Sequence, residues 1–124
     1  MAPTLTFTSV VLDAPDPPAL GAFYGRLLGW PVNAEDPTWV TVRPAGGATG
    51  LSIQLEERFV PPVWPAGDGD QQMQLHLDLE VDDLDAALEH ALEAGATLPE
   101  FQPQDDVRVC LDPAGHPFCL WVRT

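Results

Sequence analysis

Apolar and polar positions along the chain repeat at two periods, and the changes between them delimit the elements. Residues 6–12 (TFTSVVL) are β-branched and apolar and predict a strand, which the proline-rich DAPDPP cannot continue. Asp16 stands where a helix N-cap belongs, ahead of Pro17 at the first helical position. Leu20, Phe23, Tyr24, Leu27 and Leu28 then fall at i, i+3, i+4, i+7 and i+8, one apolar stripe that Gly29 can end as the C-cap. Residues 39–43 (WVTVR) and 51–55 (LSIQL) alternate as strands do, and the turn-forming PAGGATG between them predicts a hairpin.

After a connector around VPPVWPAGDGD, where periodicity stops, the same order begins again. Residues 74–81 (QLHLDLEV) alternate strictly, Asp82 or Asp83 can cap, and LDAALEHALEAGA predicts a helix with Leu84, Ala87, Leu88, Ala91 and Leu92 on one face, stopping at Gly95. Residues 107–111 and 118–122 make a closing hairpin across DPAGH. The chain therefore reads as one domain over residues 1–124: a first module at about 4–62, a connector at about 60–72 and a second module at about 73–124. A half of this size cannot cover both faces of its sheet, so the expected fold class is α+β, with the two halves pairing into a cup and the helices outside.

Alternation also decides facing. Leu75, Leu77, Leu79 and Val81 are expected under the second helix, leaving Gln74, His76, Asp78 and Glu80 on a polar face that meets either solvent or a cavity. By the same period Ser52 and Gln54 oppose Leu51, Ile53 and Leu55, Cys119 and Trp121 oppose Phe118, Leu120 and Val122, and Trp39, Thr41 and Arg43 share a face. Cys119 and Trp121 face either the cup or the core.

Charge narrows the partners. With 19 acidic residues against 5 basic ones the formal charge is −14, which repels phosphate backbones and anionic membranes and favours cationic ligands. No apolar run approaches the eighteen or so residues of a membrane helix. Two cysteines, Cys110 and Cys119, and a start without an export signal point to a reducing cytoplasm; a disulfide between them would depend on a hairpin register that the DPAGH turn leaves open by one residue. His90, beside Glu89 and Glu93, reads as a solvated helix residue, and His116 as a turn residue bonded to the hairpin backbone.

The pieces DPPALGAFYGRLLGW, HLDLEVDDLDAALEHALEAGA and LDPAGHPFCLWV, in this order and spacing, resemble the vicinal oxygen chelate superfamily of glyoxalase I, extradiol dioxygenases and bleomycin-resistance proteins, and most of all its small glyoxalase-like domains. The resemblance implies two βαβββ modules forming one cup. It implies four ligand positions for a divalent ion, which fall here on Ser9, Gln54, His76 and Cys119. Hard or borderline ions want imidazole and carboxylate oxygen; a serine, a glutamine, a histidine and a cysteine make an incomplete set, so a divalent metal is not favoured as cofactor. The expected function is small-molecule binding at a degenerate metal site. The ligand would be held by Trp39, Trp64 and Trp121 with polar contacts from Arg43, Gln54 and Asp78, and any catalytic role would fall to His76. A metal-dependent lyase or dioxygenase using His76 and Gln54 is the alternative; a homodimer that sequesters a cationic antibiotic is a third reading, and homodimerisation is itself a family-level expectation.

Overall fold

The computed structural model describes residues 2–123, which divide between Phe59 and Val60 into two compact units. The architecture is α+β, two small mixed sheets with one helix each.

In the first unit β1 (Ser9–Ala14) leads into α1 (Pro17–Leu28), followed by β2 (Val32–Asn33), β3 (Trp39–Val42) and β4 (Gly50–Leu55), in the sheet order β1-β4-β3-β2. The helix starts where the sequence requires: the Asp16 side chain accepts from the Ala19 N–H, prolines occupy the first turn, and Gly29 ends it at φ 72°, a left-handed position that suits glycine. Its stripe buries Leu20, Phe23 and Tyr24 against Leu12, Ala14, Val40, Val42, Leu51 and Ile53. Close packing of α1 on β2 and β3 relies on Gly21 and Gly25, where an added Cβ would lie 2.5 Å from a methyl of Val40 or of Val32.

In the second unit β5 (Leu77–Glu80), α2 (Leu84–Ala94), β6 (Val107–Leu111) and β7 (Pro117–Trp121) give the sheet order β5-β7-β6. Asp83, one of the two expected caps, accepts from the Ala86 N–H. The free edge of β6 is partly covered without a further strand: Thr97 bridges Leu111, and the Gln102 side chain accepts from the Val109 N–H at 2.8 Å while donating to the Val109 carbonyl at 2.9 Å. Ahead of β7, the buried Asp112 carboxylate accepts from the N–H groups of Ala114 and His116, both at 2.9 Å, and lies 2.8 Å from His116 Nδ1. His116 thus bonds the turn backbone as expected, its carbonyl accepting from the Asp112 N–H at 3.0 Å, and its ring engages a carboxylate in addition.

The largest departures from the expected strand boundaries have one reason, the reach of the pairing partner. The first strand starts at Ser9 instead of residue 6 and runs on to Ala14, because β4 supplies parallel partners from Gly50 to Leu55. The strand expected over residues 74–81 is paired only from Leu77 to Glu80, because β7 begins at Pro117, which has no N–H to donate. His76 therefore precedes the strand, and Leu75, expected beneath the helix, is 52% exposed. The two-residue β2 had no signal of its own. The closing hairpin settles the cysteine question: Cys110 pairs with Phe118 and Cys119 with Val109, so the two side chains point to opposite faces and both thiols are free.

Candidate functional site

Parallel pairing of β5 on β7 places Asp78 opposite Cys119, and His76, two residues earlier, shares their side of the chain. His76 Nε2 lies 3.1 Å from Asp78 Oδ1. A nitrogen of His76, an oxygen of Asp78 and the sulfur of Cys119 all lie within 4.8 Å of one another. The cluster is open to solvent: the side chains of His76 and Asp78 are 39% and 62% exposed, and Cys119 is half-buried. Burial, then the negative charge of Asp78 and a hydrogen bond to it, push the Cys119 thiol above the usual range. Nothing here lowers that thiol toward a free thiolate, so the arrangement does not make Cys119 a nucleophile. Cys110 is shifted further, to about 11, by burial and then by Cys119.

The first unit repeats this pairing with different residues. Aligning the two N-caps, Asp16 and Asp83, brings Ser9 onto His76, Val11 onto Asp78, Ser52 onto Cys119 and Gln54 onto Trp121. The registers agree, since Val11 pairs with Ser52 as Asp78 pairs with Cys119. Ser9 is accordingly brought to Ser52, hydroxyl to hydroxyl at 2.7 Å, and not to Gln54, whose strand partner is Asp13. The sequence reading placed Ser52 on the face of Gln54 but gave it no part in the site; the equal spacing from the two caps was the signal that could have done so.

Gln54 belongs to another group. Trp39, Gln54 and Asp13 form one cross-strand row over β3, β4 and β1, on the face away from α1. Gln54 Nε2 donates to Asp13 Oδ1 at 2.6 Å, and Trp39 remains 43% exposed. With one of its two amide hydrogens committed to Asp13, the polar end of this row presents the Gln54 amide oxygen, the Asp13 carboxylate and one remaining N–H beside an indole ring.

The other expected contact residues are engaged locally. Arg43 Nη1 donates to the Thr8 carbonyl at 2.9 Å. Trp64 stacks on Phe101 with ring centroids 5.5 Å apart, and Arg123 lies 5.4 Å over the Trp121 ring while pairing with Glu80 at 3.0 Å. A groove in the second unit, lined among others by Glu80, Asp82, His90 and Arg123, includes none of His76, Asp78 and Cys119. Among the described residues, no helix is long and apolar enough to cross a membrane.

A family model described as a glyoxalase-like domain matches residues 9–121. No curated protein matches significantly. Among solved structures, the chain is similar to a glyoxalase/bleomycin resistance protein/dioxygenase family enzyme from Burkholderia phytofirmans PsJN, with TM-score 0.71, 19% identity, and 95% of this chain and 98% of that one covered. It is similar also to a glyoxalase/bleomycin resistance protein from Albidiferax ferrireducens T118, at TM-score 0.66 and 19% identity over 95% and 98% of the two chains. A glyoxalase-related enzyme from Fulvimarina pelagi gives TM-score 0.67 and 18% identity over 97% and 89%. At these identities the likeness concerns the fold.

Proposed function

Because the chain belongs to the glyoxalase-like domain family over residues 9–121, we propose that it is a small-molecule-binding member whose four family ligand positions no longer suit a hard divalent ion. The observation that carries the binding role is the exposed row of Trp39, Gln54 and Asp13. An aromatic face next to a carboxylate and an amide oxygen suits a flat, hydrogen-donating cation, and the net charge of −14 favours the same ligand at longer range. The Ser9–Ser52 hydroxyl pair speaks against hard-ion catalysis, since two neutral hydroxyls stand where the second unit has imidazole and thiol.

The test is a thermal-shift screen of metal-free protein against aromatic amidines, cationic antibiotics and their neutral analogues. Cations are expected to raise Tm and neutral analogues to leave it unchanged. Trp39→Ala is expected to weaken binding about 3- to 30-fold, the range of a partly desolvated cation–π contact. Equal responses to cationic and neutral ligands would remove the reading. The second reading, a metal-dependent lyase or dioxygenase, is supported by the donor chemistry of His76; stoichiometric metal lost in both His76→Ala and Gln54→Ala would put it first. A homodimer sequestering a cationic antibiotic is one form of the binding reading, supported by the bleomycin-resistance resemblance, and a monomer in light scattering would eliminate that form.

A further inference from the structure

We propose that the row of Trp39, Gln54 and Asp13 selects its ligand by length, taking an aromatic cation two rings long whose amidinium or guanidinium stands at the far end from the ring that stacks on Trp39. This rests on the cation-binding reading above and adds to it the distance between ring and charge.

The length follows from the sheet. Gln54 is the strand partner of Trp39 on β3 and of Asp13 on β1, so the indole and the carboxylate stand on either side of it, two strand spacings or about 9.5 Å apart. All three side chains rise from the face away from α1, since their neighbours along the strands, Leu12, Ala14, Val40 and Ile53, are the buried ones. Gln54 steadies the carboxylate through the 2.6 Å bond to Asp13 Oδ1, and Oδ2 can accept from a ligand. A charge-assisted hydrogen bond sets the cationic carbon about 4 Å from the carboxylate carbon, which leaves about 5–6 Å between that cationic carbon and the centre of a ring on Trp39. In a one-ring amidinium the charged carbon is bonded directly to the stacked ring and covers only about half of that distance, so it meets the indole or the carboxylate but not both. A naphthyl or biphenyl amidinium adds one ring, which lies over Gln54, and meets both. The net charge of −14 attracts every cation alike, so a dependence on length reports the row itself.

Calorimetric titration of the full chain with three matched pairs tests this: benzamidine and benzamide, 2-naphthamidine and 2-naphthamide, biphenyl-4-carboxamidine and biphenyl-4-carboxamide. The amidine-to-amide affinity ratio is expected to be about fivefold larger for the two-ring pairs than for the benzene pair, the worth of one well-placed ion pair near the surface. Asp13→Asn is expected to bring the two-ring ratios down to the benzene value while leaving the amide affinities unchanged. Trp39→Ala is expected to abolish the dependence of the ratio on length. Circular dichroism checks that both variants fold, and the wild-type ratios decide the question without them. Equal ratios above one at every length would overturn the proposal and leave the cation-binding reading standing, whereas ratios of one at every length would overturn both. Two-ring ratios unchanged in folded Asp13→Asn would also overturn it, because the charge would then be read elsewhere on the surface.

Discussion

Replacing Gly21 by alanine tests the close packing of α1 on its sheet. The new Cβ would lie 2.5 Å from Val40 Cγ1 and 3.6 Å from Val32 Cγ1, against an ordinary carbon contact of about 3.5–4.0 Å. Val40 cannot give way easily: it is fully buried, β-branched, and held on a strand paired on both sides. A 2.5 Å clash with a fully buried β-branched side chain puts the overpacking cost in the upper part of its usual range, about 2–3 kcal/mol, and the better helix propensity of alanine returns about 1 kcal/mol. A net loss of about 1–2 kcal/mol follows. With an unfolding entropy of about 2.1 cal/mol/K per residue over 124 residues, Tm should fall by about 4–8 °C. The cause is isolated by a double-mutant cycle in urea. Val40→Ala alone removes two methyls and is expected to cost about 2 kcal/mol, but in the Gly21→Ala background it also removes the clash, so the double variant should be more stable than the sum predicts by about 1 kcal/mol or more. A Gly21→Ala variant as stable as wild type, or a cycle additive within about 0.5 kcal/mol, would refute the packing argument.

Two further predictions concern the second unit. Burial first, and Cys119 second, raise the Cys110 thiol from 9.0 to about 11. The unfolded chain therefore loses this proton before the folded one, and the stabilisation present below pH 9, roughly 2 kcal/mol, is lost as pH rises to 11. Urea midpoints of wild type and Cys110→Ala should converge across that window; parallel curves would contradict the assignment. Asp112→Ala should destabilise by at least about 3 kcal/mol in the same assay, because it strips the acceptor from the Ala114 and His116 N–H groups and from the His116 ring in a buried turn. A loss under about 1 kcal/mol would mean that water replaces the carboxylate.

Local features were legible in the chain because each is decided within a few residues. The caps at Asp16 and Asp83, the stripe of Leu20, Phe23 and Tyr24, the hairpin of residues 39–43 and 51–55 and the halt at Gly29 all follow from N-cap chemistry, helical period and glycine's access to positive φ. Alternation also told correctly that Ser52 and Gln54 share a side, as do Cys119 and Trp121. It did not give the height at which one strand meets another. A parallel pair such as β1–β4 joins residues some forty positions apart with no turn to set the register, and β5–β7 does the same. That register decides that Ser9 meets Ser52 while Gln54 joins Asp13 and Trp39, and that Asp78 stands against Cys119. It also leaves Leu75 exposed, where strand alternation placed it under the helix.

By itself, then, the sequence determined the element types, their caps, the α+β class, the repeat of one pattern in two halves and which side chains share a strand face, since these depend on local backbone preference and on periods of two and 3.6 residues. Only the tertiary structure decided which of those side chains converge, because convergence depends on strand registers selected by packing each helix onto its sheet, a condition no short stretch of chain contains.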